Sequence, residues 1–161
     1  MNNILYLDLD GTLKSCVSAT LDNGLVRTIT ENWRGEEFNY SFIERPHLNT
    51  FLCLVKEQGW EINLATMGTR SYAIKCLEAM GVREFFKKLV CGVELRRPDL
   101  CTKFTIIDDR EELLEWKSQQ ISHYFFAANI NKLLIPTYLG GEDNELLKIA
   151  QKLLDFSRPI V

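Results

Sequence analysis

The sequence lacks the features of membrane, secreted and metal-thiolate proteins. Its 161 residues contain no apolar run close to the roughly 20 residues that a membrane-spanning helix needs. The first ten residues, MNNILYLDLD, lack the basic and apolar segments of a signal peptide. The five cysteines are widely spaced and form no CxxC pair, which predicts reduced thiols that pack as small apolar side chains. We therefore expect a cytoplasmic protein that has no membrane partner.

The charge balance argues against further classes of partner. Nineteen basic and 22 acidic side chains give a formal charge of -3, so the chain has no general attraction for nucleic acid or anionic lipid. Hydrophobic residues make up 46% of the chain and charged residues 25%, which are the proportions of a globular protein. No repeat or flexible linker divides the sequence, and we expect a single domain over residues 1–161.

Strand-like and helix-like patterns alternate along the chain. ILYLDLD, WEINLAT and KFTIIDD are typical of buried strands, and FFKKLVCG and SHYFFAA predict two more. HLNTFLCLVKEQG, TRSYAIKCLEAMG, EELLEWKSQQ and DNELLKIAQKLLDF have the apolar spacing of helices. Strands joined through helices form parallel sheets with helices on both faces, so the pattern predicts an α/β fold with a doubly wound parallel sheet.

The segment 14–44 does not follow this alternation. It contains VRTITENW, a polar turn at RGEE, and FNYSFI, which together predict a β-hairpin. We expect this hairpin to form a small flap at the binding edge of the sheet. The stretch 66–97 already holds one helix and one strand, so no large cap domain is expected.

Acidic side chains stand where two of the predicted strands end. Asp8 and Asp10 share one side of the first strand, and Gly11 then permits a sharp turn. Asp108 and Asp109 end KFTIIDD, and the carboxyl ends of parallel strands meet at one edge of the sheet. Four converging carboxylates would repel each other, which favours Mg²⁺ with its oxygen ligands. Two such carboxylates can also divide the work of a nucleophile and an acid.

Ordinary structural roles are the alternative for these acids. Asp-Gly-Thr is common turn chemistry, and Asp108-Asp109 could cap the helix that follows. The joint occurrence of both motifs at strand ends favours the functional interpretation.

Several segments resemble one enzyme superfamily. LDLDGTL resembles the first motif of the haloacid dehalogenase (HAD) superfamily, whose phosphatases form an aspartyl-phosphate. IERPHLNTFLCLVKEQGWEINLATMGTRSYA is similar to the C-terminal-domain phosphatase, or NLI-interacting-factor-like, branch, in which an Arg-Pro pair opens a helix and Tyr-Ala follows the second motif. FTIIDDR resembles the fourth motif of that branch, and LLIPTYLGGEDNELLKIAQKLLDF its closing strand, loop and helix. The resemblance covers most of the chain and is weak at residues 14–44 and 82–102.

The resemblance implies a role for each matching residue. Asp8 would be the nucleophile and a metal ligand. Asp10 would be the general acid and later the base, and its backbone carbonyl would also touch the metal. Thr66 would donate a hydrogen bond to the phosphoryl group. The other matching positions are Leu9, Met67 and Gly68, whose backbone N–H groups would bind phosphate, Asp109, which would bind Mg²⁺ directly, and Asp108, which would be either a further ligand or a hydrogen-bond acceptor beside the ion.

One expected residue has no clear match. The superfamily usually supplies a lysine that bridges the nucleophile and the phosphoryl group. Arg97, in LRRPDL, lies where many relatives have a Lys-Pro pair, and arginine can hold phosphate with two hydrogen bonds. Lys103 is a second candidate, although it lies close before the strand FTIIDD. A third alternative is Arg96 in this role, or a surface role for all three.

The combined pattern predicts a Mg²⁺-dependent phosphatase that acts through a phospho-Asp8 intermediate. A small flap would leave an open cleft, which suits a phosphoprotein or another bulky phosphomonoester. Two alternatives stay open. One is a small magnesium-dependent phosphatase that acts on sugar or tyrosyl phosphates, and the other is a catalytically silent protein-binding module of the same fold.

Overall fold

The central sheet is entirely parallel. The computed structural model describes residues 3–16, 24–96, 103–122 and 129–157. Five strands form the sheet in the order β5-β4-β1-β6-β7, and the predicted α/β fold with a parallel sheet is confirmed. The strands of this sheet are β1 (Asn3–Leu7), β4 (Trp60–Thr66), β5 (Lys88–Cys91), β6 (Lys103–Asp108) and β7 (Asn129–Leu134).

Helices cover both faces of the sheet because side chains of its central strand alternate between two cores. Leu5 and Leu7 of β1 pack with one set of helices, whereas Tyr6 packs in the other core. The first core includes residues of α1 (Leu48–Glu57), α2 (Arg70–Ala79) and α4 (Glu145–Ser157), and the second includes residues of α3 (Glu111–Ser122). Short 3-10 helices at Arg83–Phe85 and Gly92–Arg96 flank β5.

The helix α1 shows how the sequence pattern produces this packing. Leu48, Phe51, Leu52 and Val55 recur at helical spacing and are all buried. The helix is followed by Gly59, whose φ of 89° turns the chain into β4.

The predicted hairpin is present and stands outside the main sheet. Its antiparallel strands are β2 (Leu25–Trp33) and β3 (Glu36–Glu44). Arg34 and Gly35 connect them with φ values of 51° and 82°, the positive pair that a type I′ turn requires. Lys75 of α2 donates to the carbonyl of Thr30 over 2.7 Å, which fixes the hairpin against that helix.

Two further predictions concern the end of the chain and the membrane. SHYFFAA was expected to form a strand, but Ser122 belongs to α3 and residues 123–128 lie outside the described part of the chain. The closing strand predicted in LLIPTYLGG corresponds to β7, which ends at Leu134. Within the described residues, no helix is both long enough and apolar enough to cross a membrane.

Candidate active site

The acidic residues meet because β1 and β6 are neighbours. Leu7 lies beside Ile107, and the N–H of Asp8 donates to the carbonyl of Ile107 over 3.0 Å. Asp8 follows β1 directly, and Asp108 is the last residue of β6. One carboxylate oxygen from each of Asp8, Asp108 and Asp109 lies within 4.8 Å of the other two.

A buried lysine from α3 joins two of these acids. The ammonium group of Lys117 donates to Oδ1 of Asp8 over 2.8 Å and to Oδ2 of Asp108 over 2.6 Å. Its third hydrogen bond goes to the carbonyl of Ala65 at 2.8 Å. All three N–H donors of the ammonium are therefore satisfied, which is what full burial of this charge requires.

Burial governs the protonation of this group of side chains. Removal from water raises the pKa of Asp8 from its ordinary 3.8 to about 7, against the opposing effect of Lys117 and with a further rise from Asp108. Burial also raises the pKa of Asp108, again opposed by Lys117. Burial disfavours the charged form of Lys117, but the charges of Asp8 and Asp108 outweigh it and raise the pKa of the lysine. One ammonium thus pairs with two buried carboxyl groups.

The loop after β1 wraps closely around the acids. The hydroxyl of Thr12 donates to Oδ2 of Asp8 over 3.0 Å and lies 3.4 Å from Oδ1 of Asp109. Gly11 has a φ of 83°, and a Cβ atom placed on it would lie 2.7 Å from Cγ of Asp109. From the other side, the hydroxyl of Thr137 donates to Oδ2 of Asp109 over 2.8 Å. Only glycine lets this loop approach Asp109 so closely.

Arg45 holds that loop in place through hydrogen bonds to its backbone. It is fully buried and pairs with Asp143 through two hydrogen bonds of 3.1 and 2.8 Å. Its remaining donors bind the carbonyls of Gly11, Thr12 and Pro136 at 3.3, 3.1 and 2.9 Å. The Arg-Pro pair that opens α1 is therefore also an anchor for the loop that follows Asp8.

Asp10 has a separate set of partners. Its Oδ1 accepts hydrogen bonds from the ammonium of Lys14 and, over 2.8 Å, from the hydroxyl of Tyr72. The Asp10 side chain is 32% exposed, whereas Lys14 is fully buried. Burial and the nearby Asp10 charge raise the pKa of Tyr72, which keeps its hydroxyl protonated as a donor.

The end of β4 reaches the same edge of the sheet. Leu7 pairs with Leu64, so the loop after β1, which begins with Asp8 and buried Leu9, starts beside the end of β4. Thr66 is the last residue of β4, is buried, and accepts a hydrogen bond from the N–H of Gly68 over 3.2 Å. Met67 is exposed, and α2 starts just beyond, with the Thr69 side chain as its N-cap.

The sequence predicted two cations at the phosphate, and the described residues include one of them, Lys103. Arg97 lies outside the described residues. Lys103 is the first residue of β6, so it stands at the opposite end of that strand from Asp108, about 16 Å away at the usual rise per residue. A lysine side chain cannot bridge this gap, and the prediction that Lys103 binds phosphate is corrected accordingly.

Sequence reasoning missed Lys117 and Lys14. Lys117 lies three residues after Leu114 and four before Ile121, on the buried face of α3, and that spacing was visible in EELLEWKSQQIS. The available signal was therefore a lysine within the apolar stripe of a helix, where that helix follows a strand that ends in acidic residues. The sequence carries no comparable signal for Lys14, which is buried by residues from other elements.

The donor set fits a hard divalent cation. Asp8, Asp108 and Asp109 offer only oxygen ligands, and their charge exceeds that of Lys117 alone. Asp109 is partly exposed, which leaves a side of the cluster open to water or to a phosphate oxygen. The arrangement can therefore hold such a cation next to a buried carboxylate that has a lysine beside it.

Comparison with known proteins gives a family and a fold. The family model of NLI interacting factor-like phosphatases matches residues 3–159. The structure of fission yeast RNA polymerase II CTD phosphatase Fcp1-R271A bound to beryllium fluoride is 20% identical, with a TM-score of 0.59 over 98% of this chain and 52% of that chain. A second structure of Fcp1, an essential RNA polymerase II CTD phosphatase, is 21% identical, with a TM-score of 0.61 over 98% and 50%.

A structure from Clostridium difficile matches over 98% of this chain and 100% of its own, at 12% identity and a TM-score of 0.52. These likenesses establish the fold. The chain spans about half the length of the two Fcp1 chains. No curated protein sequence matches it.

Proposed function

Because the chain belongs to the NLI interacting factor-like phosphatase family of the HAD superfamily, we propose that it is a Mg²⁺-dependent phosphatase acting on phosphoprotein side chains through a phospho-Asp8 intermediate. The observation that carries the proposal is the position of Asp8. It is a buried carboxylate held by Lys117 on one oxygen and by Thr12 on the other, beside two more acids.

Asp8 is the nucleophile in this proposal. A carboxylate oxygen of Asp8 forms a bond to phosphorus while the bond from phosphorus to the ester oxygen breaks. Lys117 orients the carboxylate and places positive charge next to the transferred phosphoryl group, whose oxygens carry negative charge throughout. Lys117 thus takes the role that the sequence left open between Arg97 and Lys103.

Asp10 is the general acid and the general base in this proposal. In its carboxylic acid form it donates a proton to the departing ester oxygen, which leaves as an alcohol. The resulting Asp10 carboxylate then takes a proton from the water that attacks phosphorus of phospho-Asp8. This second step releases inorganic phosphate, restores Asp8 and regenerates protonated Asp10. The partial exposure of Asp10 supports access of both the ester and water.

The end of β4 supplies hydrogen-bond donors for the phosphate. The Thr66 hydroxyl and the N–H groups of Met67 and Gly68 lie before the start of α2, and the N–H of Leu9 follows Asp8. Backbone N–H groups at such a position can bind a phosphate dianion, and neither partner has to change its protonation state.

Asp8, Asp108, Asp109 and the carbonyl of Asp10 are the proposed ligands of Mg²⁺. When bound, the ion neutralises the acid cluster and polarises a phosphoryl oxygen. Thr137 and Thr12 hold Asp109 in place by hydrogen bonds or close contact.

The phosphoprotein substrate is supported by the structural relatives and by the shape of the edge. The Fcp1 structures are described as phosphatases of the RNA polymerase II CTD, a protein substrate. The hairpin beside the edge is narrow, and Asp10, Met67 and Asp109 all retain exposure to solvent. The cytoplasmic location stays a prediction of the sequence.

Hydrolysis of p-nitrophenyl phosphate tests the chemistry. We expect turnover that requires Mg²⁺ and is abolished in Asp8→Asn, while the matched control Asp155→Asn, on the exposed face of α4, keeps the wild-type rate. Acid-quenched enzyme should carry a phosphoryl group on Asp8, detected by mass spectrometry. Turnover in Asp8→Asn, or turnover that EDTA does not reduce, would contradict the proposal.

A substrate panel tests the class of ester. We expect higher kcat/KM for phosphoserine and phosphothreonine peptides than for sugar phosphates. A preference for sugar or tyrosyl phosphates would favour the small-phosphatase alternative, and binding of phosphopeptides without turnover would favour the silent module.

A further inference from the structure

A second buried lysine lies next to the acid cluster. Among the described residues, it contacts none of the three carboxylates that form the proposed metal site. Lys14 is fully buried, and its ammonium binds Oδ1 of Asp10, the carbonyl of Ser15 at 2.9 Å and the hydroxyl of Tyr72 at 2.8 Å. The ammonium also lies 4.4 Å from the ring centre of Phe42. All three of its donors are used.

This charge is held at a position that otherwise suits an apolar side chain. The rings of Phe42 and Tyr72 surround Lys14, and Leu13 beside it is fully buried. A buried ammonium loses its hydration, and it is tolerated only where geometry and pairing compensate. The compensation here comes from Asp10, and a methionine could occupy the same space without that cost.

The bonds of Asp10 distinguish its two oxygens. The ammonium of Lys14 and the hydroxyl of Tyr72 both donate to Oδ1, and Lys14 also donates to Tyr72, so the three groups form a closed triangle. Within the described residues, the side-chain hydrogen bonds of Asp10 all go to Oδ1, and Oδ2 stays available. Oδ2 is therefore the oxygen that can exchange a proton with a substrate.

We propose that Lys14 and Tyr72 are positioning residues that hold Asp10 by Oδ1 and so direct Oδ2 at the ester oxygen of the substrate. This inference rests on the proposed function. The proton on Oδ2 passes to the ester oxygen as the bond from phosphorus to that oxygen breaks, and Asp10 is left as a carboxylate still bound through Oδ1.

The hairpin takes part in this arrangement. Phe42 belongs to β3, and Tyr40 of the same strand packs edge-on against Tyr72, with ring centres 6.3 Å apart. The groups that hold Asp10 therefore come from the loop after β1, from the hairpin and from α2. Together these groups should affect the hydrolysis of esters whose leaving oxygen needs a proton.

The proposal predicts that Lys14 and Tyr72 affect the hydrolysis of some phosphate esters much more than that of others. Alkyl esters, such as phosphoserine, expel a strongly basic oxygen and depend on the acid. Aryl esters such as p-nitrophenyl phosphate expel a weakly basic oxygen and depend on it little. Loss of either positioning residue should therefore penalise alkyl esters selectively.

The test compares Lys14→Met and Tyr72→Phe with the wild-type chain across aryl phosphates of increasing leaving-group pKa and a phosphoserine peptide. We expect kcat/KM to fall about a hundredfold for the peptide and less than about threefold for p-nitrophenyl phosphate, so the dependence on leaving-group pKa becomes steeper. Tyr72→Phe keeps the ring against Tyr40 and removes only the hydroxyl, and it carries the test alone if Lys14→Met does not fold.

Lys75→Met is the matched control, because Lys75 fixes the hairpin to α2 through Thr30 and Glu31 but does not contact Asp10. It should keep the wild-type dependence on leaving group. An equal change in Lys75→Met would assign the effect to hairpin packing and overturn the proposal, as would wild-type dependence in Tyr72→Phe. If Asp8→Asn is inactive while Tyr72→Phe behaves as wild type, only the positioning role fails. If Asp8→Asn is active, the proposed function itself fails.

Discussion

Gly11 and Asp109 stand so close together that a Cβ atom on the glycine would lie 2.7 Å from Cγ of the aspartate. Their proximity brings the loop after β1 onto the acid cluster. A side chain at position 11 would have to displace a carboxylate that we propose as a metal ligand.

Gly11→Ala is therefore expected to weaken Mg²⁺ binding by about 10-fold or more, since displaced ligand geometry typically costs this much. Isothermal titration of Mg²⁺ into the metal-free protein measures the effect. Gly35→Ala is the matched control, because Gly35 has nearly the same φ, 82°, and no atom within 4 Å of its added Cβ. Both variants share the backbone strain, so equal Mg²⁺ affinity in the two would contradict the role of Gly11.

Lys117→Met should be costly for both stability and rate. Removal of the ammonium leaves Asp8 and Asp108 buried without a cation, which typically costs about 3–5 kcal/mol. We also expect kcat to fall by about 10²–10³-fold. Urea unfolding in EDTA and phosphatase assays measure the two effects. Lys152→Met, on the exposed face of α4, should change neither, and a wild-type rate in Lys117→Met would exclude its proposed role.

The metal-free protein should lose stability as the pH rises. The pKa of Asp8 is about 7 in the folded chain and 3.8 ordinarily, so the folded state binds more protons between these values. Its contribution to the free energy of unfolding is full below pH 3.8 and is lost as the pH approaches 7. Urea unfolding in EDTA at about pH 4 and about pH 7 should show a smaller decline in Asp8→Asn than in Asp155→Asn. The same decline in both variants would show that Asp8 is not its source.

Arg45→Met should unfold the chain more easily and reduce activity. Its loss leaves Asp143 unpaired and three carbonyls without their donor, which we expect to cost about 3–5 kcal/mol. Arg70→Met is the control, since its pair with Glu94 is exposed and worth less than about 1 kcal/mol. Equal urea midpoints for the two variants would refute this view of Arg45.

Local patterns were enough to predict most of the fold. The apolar stripe of α1 and the run WEINLAT both depend on neighbours within a few residues, and both elements form where the pattern indicates. Parallel pairing then follows from the helices between strands, and it brings the ends of β1 and β6 together. The meeting of Asp8 and Asp109 could therefore be predicted without coordinates.

The two buried lysines could not be assigned in the same way. Lys117 binds Asp8 from α3, the helix that follows β6. Lys14 is buried by Phe42 of the hairpin and Tyr72 of α2. Such contacts depend on the final packing of elements. The local sequence could indicate that Lys117 is buried on α3, but not which acids it binds, and it gives no such indication for Lys14. Lys103 precedes the acidic strand β6 in the chain, whereas the lysine that binds Asp8 and Asp108 lies in the helix that follows that strand.

The position of Lys117 in the chain has a consequence for biosynthesis. Asp8 leaves the ribosome 109 residues before its lysine, a delay of about 5 to 20 s at ordinary elongation rates. A nascent chain can display LDLDGT during that interval, but Asp8 still lacks the lysine that binds it in the folded protein. Translation products that terminate before α3 would carry Asp8 without Lys117, and the phosphoryl transfer that we propose for Asp8 would have to await completion of that helix.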